Sequence, residues 1–190
     1  LPFRRLQGAV DEAYAAGLLG EGILGVDFSC DLVVYRGAGS YVCGEASGLL
    51  SSLEGKRGYP RNRPPRLTVK GLFQMPTVVN NVETLTNVTA ILALGAEAFK
   101  KVGTPKSPGT QLVSISGHIA RPGVYEVEHG YPLKKFLFED CGGMMPGAKL
   151  KCIIPGGIST KVLTAAEIEH VTYDHASFNA AGSSLGSGGM

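Results

Sequence analysis

A chain of 190 residues with 44% hydrophobic content can bury one substantial core or two small ones, and its composition excludes wholesale disorder. A net charge of +2 with 18% charged residues excludes a strong drive toward nucleic acid, and no apolar run is long enough for direct membrane insertion. Four scattered cysteines (Cys30, Cys43, Cys141, Cys152) without a C-x-x-C pair, and histidines at 118, 129, 170 and 175 outside any zinc spacing, predict a reduced intracellular compartment and no metal site.

In chain order, residues 3–16 place Leu6, Ala9, Val10, Ala13 and Tyr14 on one face of a helix, with Gly17 in position to end it. The run Asp31-Leu-Val-Val-Tyr35, apolar after its first residue, predicts a strand. The run Arg36-Gly-Ala-Gly-Ser-Tyr-Val-Cys-Gly-Glu45 then leads into a helix carrying Leu49, Leu50 and Leu53 on one side. A strand, a glycine turn and a helix N-terminus make a phosphate site, or simply a tight connection; the spacing Gly37, Gly39, Gly44 is not the G-x-G-x-x-G fingerprint. Helix, strand, turn and helix in this order predict an α/β class.

Residues 55–76, rich in Arg, Lys, Pro and Gly, form a long loop that invites local anions. Asn81 is placed to cap a helix presenting Leu85, Val88, Ile91 and Leu92 to a core, and Gly95 ends it. Capping needs only one of Asn80 and Asn81, so the pair is either a cap or a cap with a spare amide for a ligand. After a Gly-Pro-Lys-Ser stretch at 101–109 the pattern changes. Strands at 111–116 and 124–127 predict a hairpin, Leu133, Phe136 and Leu137 a short inward-facing helix, and 150–154 a further strand, which together resemble a β-grasp module. Beyond Thr160 a short strand and two helical turns precede the glycine-rich end 181–189, a backbone-rich ligand loop or a linker. Cys43 is expected as a small buried residue rather than a redox thiol, and His118 and His175 as surface or capping residues.

Five stretches taken together, Gly37-Ala-Gly-Ser-Tyr-Val-Cys-Gly-Glu45, Ser52-Leu-Glu-Gly-Lys56, Pro76-Thr-Val-Val-Asn-Asn-Val-Glu-Thr-Leu85, Ser116-Gly-His-Ile-Ala-Arg-Pro-Gly-Val-Tyr125 and Gly182-Ser-Ser-Leu-Gly-Ser-Gly-Gly189, carry a resemblance to one family along the whole chain. The chain is similar to the flavoprotein subunit of NADH-quinone oxidoreductase, respiratory complex I, and to the corresponding subunits of NAD-linked hydrogenases and formate dehydrogenases. The resemblance implies the C-terminal part of an FMN- and NADH-binding α/β domain (1–105), a soluble-ligand-binding β-grasp domain (106–164), and a linker opening the iron-sulfur-bearing region (165–190). It implies a hydride passed from NADH to FMN, with electrons leaving singly through iron-sulfur clusters whose ligands lie outside this chain. Tyr41, Gly44 and Glu45 would line the flavin and nicotinamide pocket, Asn80, Asn81 and Thr84 would touch FMN, and Arg63 would keep the charge of a family lysine that touches the dinucleotide. The implied partners are other subunits of a redox complex, among them a thioredoxin-like iron-sulfur subunit, on the cytoplasmic face of the inner membrane. A start at Leu1 and the lack of a closing element predict a piece of a longer protein, inactive alone.

Two positions depart from the family pattern. Ala46 stands where a second glutamate is usual, and Arg66 stands where a stacking phenylalanine is usual; a guanidinium prefers a phosphate or carboxylate partner. These departures predict either altered NADH geometry or a divergent relative: one with another electron donor, or a non-catalytic one whose β-grasp domain is a binding scaffold.

Overall fold

The computed structural model describes residues 1–190, a mixture of helices and small sheets divided into two compact units, Leu1–Val79 and Asn80–Met190. In the first unit, α1 spans Pro2–Ala15 and ends at Gly17, whose φ of +67° suits a residue without Cβ. Of its apolar face only Val10 is buried. The strand expected at 31–35 is not formed. No neighbouring segment pairs with it, so its backbone has no ladder to join, and Leu32, Val33 and Tyr35 are exposed. The glycine run leads instead through a single 3₁₀ turn, Tyr41–Gly44, into α2, Ala46–Leu53.

α2 is fixed by polar contacts more than by apolar ones. It buries Leu50 together with Ser47, Gly48 and Ser51, while Leu49 stays exposed. Ser47 Oγ accepts from the Arg61 N–H at 2.8 Å and Ser51 Oγ accepts from Arg61 Nε at 3.1 Å, so the 56–74 loop is stitched across the helix. A Cβ at Gly48 would stand 2.9 Å from the Val42 carbonyl oxygen and 3.1 Å from that of Gly58, which explains glycine at this close crossing.

The second unit opens with α3, Val82–Leu94, capped by Asn81 and closed by Gly95, followed by the single turn α4, Ala96–Phe99. Its expected core face is not covered: Leu85, Val88 and Leu92 are exposed, because the core of this unit is already closed by fifteen side chains between Val113 and Leu185. Two short strands, β1 Gly103–Thr104 and β2 Ser107–Pro108, pair antiparallel and lead into the hairpin of β3, Thr110–Ile115, and β4, Gly123–Glu128. The hairpin register pairs Thr110 with Glu128 and Ile115 with Gly123, which sets Val113 opposite Tyr125 and turns Val113, Ile115 and Val127 inward.

The free edge of β3 is closed in an unexpected way. Its alternate N–H groups donate in turn to the Glu83 carboxylate (from Leu112, 2.8 Å), the Gly188 carbonyl (from Ser114, 2.8 Å) and the Met190 carbonyl (from Ser116, 2.9 Å). An edge that would otherwise template foreign strands is thus satisfied inside the chain. The short helix α5, Leu133–Lys135, widens into a π turn over Phe136–Asp140 and sets Leu133, Phe136 and Leu137 in the core. β5, Cys152–Ile153, and β6, Leu163–Thr164, pair antiparallel, and α6, His175–Ala180, is capped by Asp174, whose carboxylate accepts from the Ser177 N–H at 2.9 Å.

The end of the chain is packed, unlike a linker. Ile168, Val171, Tyr173, Phe178 and Leu185 all belong to the core, with Tyr173 edge-on to Phe178 at a centroid separation of 5.8 Å. The glycine-rich stretch 181–189 meets Pro155-Gly-Gly157 backbone to backbone. A Cβ at Gly156 would overlap the Leu185 carbonyl, and the Ser187 N–H donates to the Gly156 carbonyl at 3.0 Å. Its glycines serve close packing of two chain segments.

Candidate nucleotide site

The first unit gathers the charged residues of the site. Glu45 precedes α2 with extended backbone (φ −77°, ψ 130°), and one carboxylate oxygen accepts from the Gly48 N–H at 2.8 Å and from the Ser47 hydroxyl. Its other oxygen lies 3.3 Å from Arg63 Nη2. The Ser47 hydroxyl and then the Gly48 N–H hold the Glu45 carboxyl below its ordinary range against the opposing effect of burial, with the Arg63 guanidinium contributing least. Glu45 is therefore an anion at neutral pH, fitted to orient a group rather than to accept a proton.

Just before it, Gly37, Gly39 and Gly44 each face open space where a Cβ would meet nothing within 4 Å, and Tyr41 as a residue is 71% exposed. An accessible aromatic face beside bare backbone suits a flat ring and its phosphate. Cys43 is half-buried, its sulfur against Gly58, where a Cβ would come within 2.6 Å of it.

Below α2 the 56–74 loop forms a cleft of about 280 Å³, lined among others by Ser47, Lys56, Arg61, Arg63 and Lys70. Glu54, with a side chain only 3% exposed, organises one side of it. It receives Lys56 Nζ at 2.7 Å, Arg61 Nη2 at 3.0 Å and the Phe73 N–H at 2.9 Å. Those three donors, Lys56 foremost, pull its carboxyl from an ordinary 4.5 down to about 2. Glu54, Arg61 and Lys70 do not stand out from the sequence. The charge-dense stretch around Ser52-Leu-Glu-Gly-Lys56 and the serine pair Ser47 and Ser51, one helical turn apart, are the available hints.

The remaining candidates open the second unit. Asn81 Oδ1 accepts from the Glu83 N–H at 2.8 Å, so its capping role is realised and its amide nitrogen is left over. Asn80 and Thr84 are exposed around the same helix start. Asn81, Glu83 and Asn87 share a cavity of about 490 Å³ with Leu112 and Glu126 of the hairpin. His118 and His175 are exposed. No three His, Cys, Asp or Glu side chains are grouped to hold a metal ion, and no helix is long and apolar enough to cross a membrane.

Comparison with known proteins assigns both parts of the chain. Residues 2–90 match the Nuo51 FMN-binding domain family and residues 112–158 match the SLBB domain family. Over 96% of its length the chain is 52% identical to the F subunit of NADH-quinone oxidoreductase from Streptomyces coelicolor, covering 40% of that protein. Over 98% of its length it is 46% identical to the F 2 subunit of NADH-quinone oxidoreductase from Rhizobium meliloti, covering 44% of that protein. The chain thus spans less than half the length of these curated relatives. A crystal structure of an NAD+-reducing [NiFe]-hydrogenase in the H2-reduced state superposes with a TM-score of 0.66 and 42% identity, over 72% of this chain and 23% of the hydrogenase chain.

Proposed function

The chain belongs to the sequence family of the NADH-quinone oxidoreductase flavoprotein subunits, carrying a Nuo51 FMN-binding segment and then an SLBB domain, and on that basis we propose that its parent protein oxidises a reduced nicotinamide dinucleotide at FMN. The observation that carries this reading is Glu45, held as an anion by the Ser47 hydroxyl and the Gly48 N–H directly after the open glycine run and the exposed Tyr41.

The residues present fit such a group. Open backbone at Gly37, Gly39 and Gly44 leaves room for an approaching ring and phosphate, and Asn81 keeps an amide nitrogen beyond its cap. FMN, when bound, supplies a two-electron acceptor that can also give up electrons one at a time. In this reading Tyr41, Gly44 and Glu45 line the flavin and nicotinamide pocket, with Arg63 beside the Glu45 carboxylate, and Asn80, Asn81 and Thr84 contact FMN. Fixed dipoles and a carboxylate ionised at neutral pH leave few mobile protons near a hydride, which favours its transfer over protonation by water.

The same family membership supports a place in a multisubunit redox complex, with a thioredoxin-like iron-sulfur subunit as neighbour and a peripheral position on the cytoplasmic face of the inner membrane. In this reading residues 1–105 serve the flavin, 106–164 form the β-grasp domain, and 165–190 lead toward the iron-sulfur region. The full-length parent protein, purified and mixed with NADH under anaerobic conditions, should show flavin absorbance that bleaches. Bound flavin that does not bleach with any reduced dinucleotide would refute the dehydrogenase reading, and absence of flavin would favour a non-catalytic scaffold.

A further inference from the structure

We propose that the basic cleft beneath α2 is a phosphate-monoester site, and that in the parent protein it receives the 2′-phosphate of NADPH. The NADPH assignment rests on the dinucleotide-donor reading above; the phosphate site itself does not.

The charge balance of the cleft leads to this ligand. Four cations line it, Lys56, Arg61, Arg63 and Lys70. Glu54 takes both Lys56 and Arg61, Glu45 takes Arg63, and Lys70 has no carboxylate partner. Four positive charges less two negative ones leave +2 in one small concavity, which matches the roughly −1.5 to −2 of a phosphate monoester at neutral pH. A carboxylate ligand would leave about half of that surplus unmatched.

Geometry narrows the choice. Arg61 is held rigidly by three further contacts, its Nε to Ser51 Oγ (3.1 Å), its Nη1 to the Gly71 carbonyl (3.1 Å) and its backbone N–H to Ser47 Oγ (2.8 Å), so its charge is fixed in direction. Lys56, Arg63 and Lys70 remain accessible, with the Lys56 and Arg63 side chains 65% and 57% exposed, and can turn toward an incoming oxygen. Position 46 is alanine, so no further carboxylate stands beside Ser47 to repel an anion. At about 280 Å³ the cleft is at the small end of ligand sites, enough for a phosphate on its ribose and too small for a whole dinucleotide. A phosphate that branches from the body of a dinucleotide meets this description.

The test uses the flavin-loaded full-length protein and two probes, adenosine 2′,5′-bisphosphate and 5′-AMP, compared by calorimetry at low and raised salt. The bisphosphate should bind at least about tenfold more tightly, as expected for one or two charge-assisted hydrogen bonds, and the preference should shrink with salt. Lys70→Gln should remove most of the preference and Lys70→Arg should restore it. Equal binding of the two probes overturns the proposal, as does a preference untouched by Lys70→Gln. If Lys70→Gln instead strips flavin from the protein, the cleft holds the FMN phosphate and the NADPH assignment is overturned. Anaerobic bleaching separates the two readings. A ratio of NADPH to NADH turnover (kcat/KM) that falls at least about tenfold in Lys70→Gln supports both. A bisphosphate preference in a protein whose flavin neither dinucleotide bleaches keeps the phosphate site and overturns the donor assignment.

Discussion

The two units are ordered by different forces. Asn80–Met190 closes fifteen buried apolar side chains around Tyr173, Phe136 and Phe178, whereas Leu1–Val79 buries only Val10 and Leu50 among its large apolar residues and relies on Glu45, Glu54, Ser47, Ser51 and Arg61. Burial is non-directional and tolerates small shifts of the chain. A charge-assisted network fixes direction and leaves cations exposed for ligands. The unit that gathers the charged site residues is the polar one, and the other is held together by apolar packing.

The largest expected effect falls on the packed unit. Phe178→Ala should lower its stability by about 3–5 kcal/mol in denaturant-dependent hydrogen exchange, with α2 amides much less affected. Equal loss in α2 would break the contrast between the units. Gly156→Ala, which drives a Cβ into the Leu185 carbonyl, should cost about 1–3 kcal/mol and loosen the 185–190 segment, read as faster exchange at Ser114 and Ser116. In the polar unit, Glu45→Ala removes the α2 cap and should cost about 1 kcal/mol, measured as lost protection at Gly48. Tyr173→Phe works in the opposite direction. The Tyr173 hydroxyl is buried with no hydrogen-bond partner and burial pushes it far above its ordinary value, so its removal should leave stability unchanged or raise it by about 1 kcal/mol in thermal unfolding.

The smallest global effect, and the most specific to the polar unit, is its acid response. Glu54 titrates at about 2 in the folded chain against an ordinary 4.5, so its stabilising contribution is complete above about pH 4.5 and is lost as pH falls toward 2. Glu54→Gln should lower the protection of the Phe73 amide at neutral pH and flatten its dependence on pH through that window. A wild-type amide insensitive to acid there would show that the Glu54 contacts do not hold the loop.

The hairpin is legible in the sequence because Ile115 and Val127 each stand between polar neighbours, and the α3 start because Asn81 is a strong cap before an apolar run. The strand expected at 31–35 fails for a physical reason: an apolar run shows a preference for burial, but a strand exists only where another segment pairs with it. The expected core face of α3 fails in the same way, since period does not say whether a core has room. Of the candidate site, the glycine run, Glu45 and Asn81 stand out by residue type. Glu54 and Lys70 do not, because an ion pair across a loop leaves no periodic mark.

The sequence by itself determined the elements whose cause is local: the helix caps, the hairpin alternation, and the glycines where φ is positive or backbones cross. Tertiary structure alone decided which carboxylate Lys56, Arg61 and Arg63 found, that the edge of β3 is satisfied by Glu83, Gly188 and Met190, and that the basic cleft keeps a surplus of two charges. Electrostatic pairing depends on distance through space, and distances between residues far apart in the chain are set only when it folds.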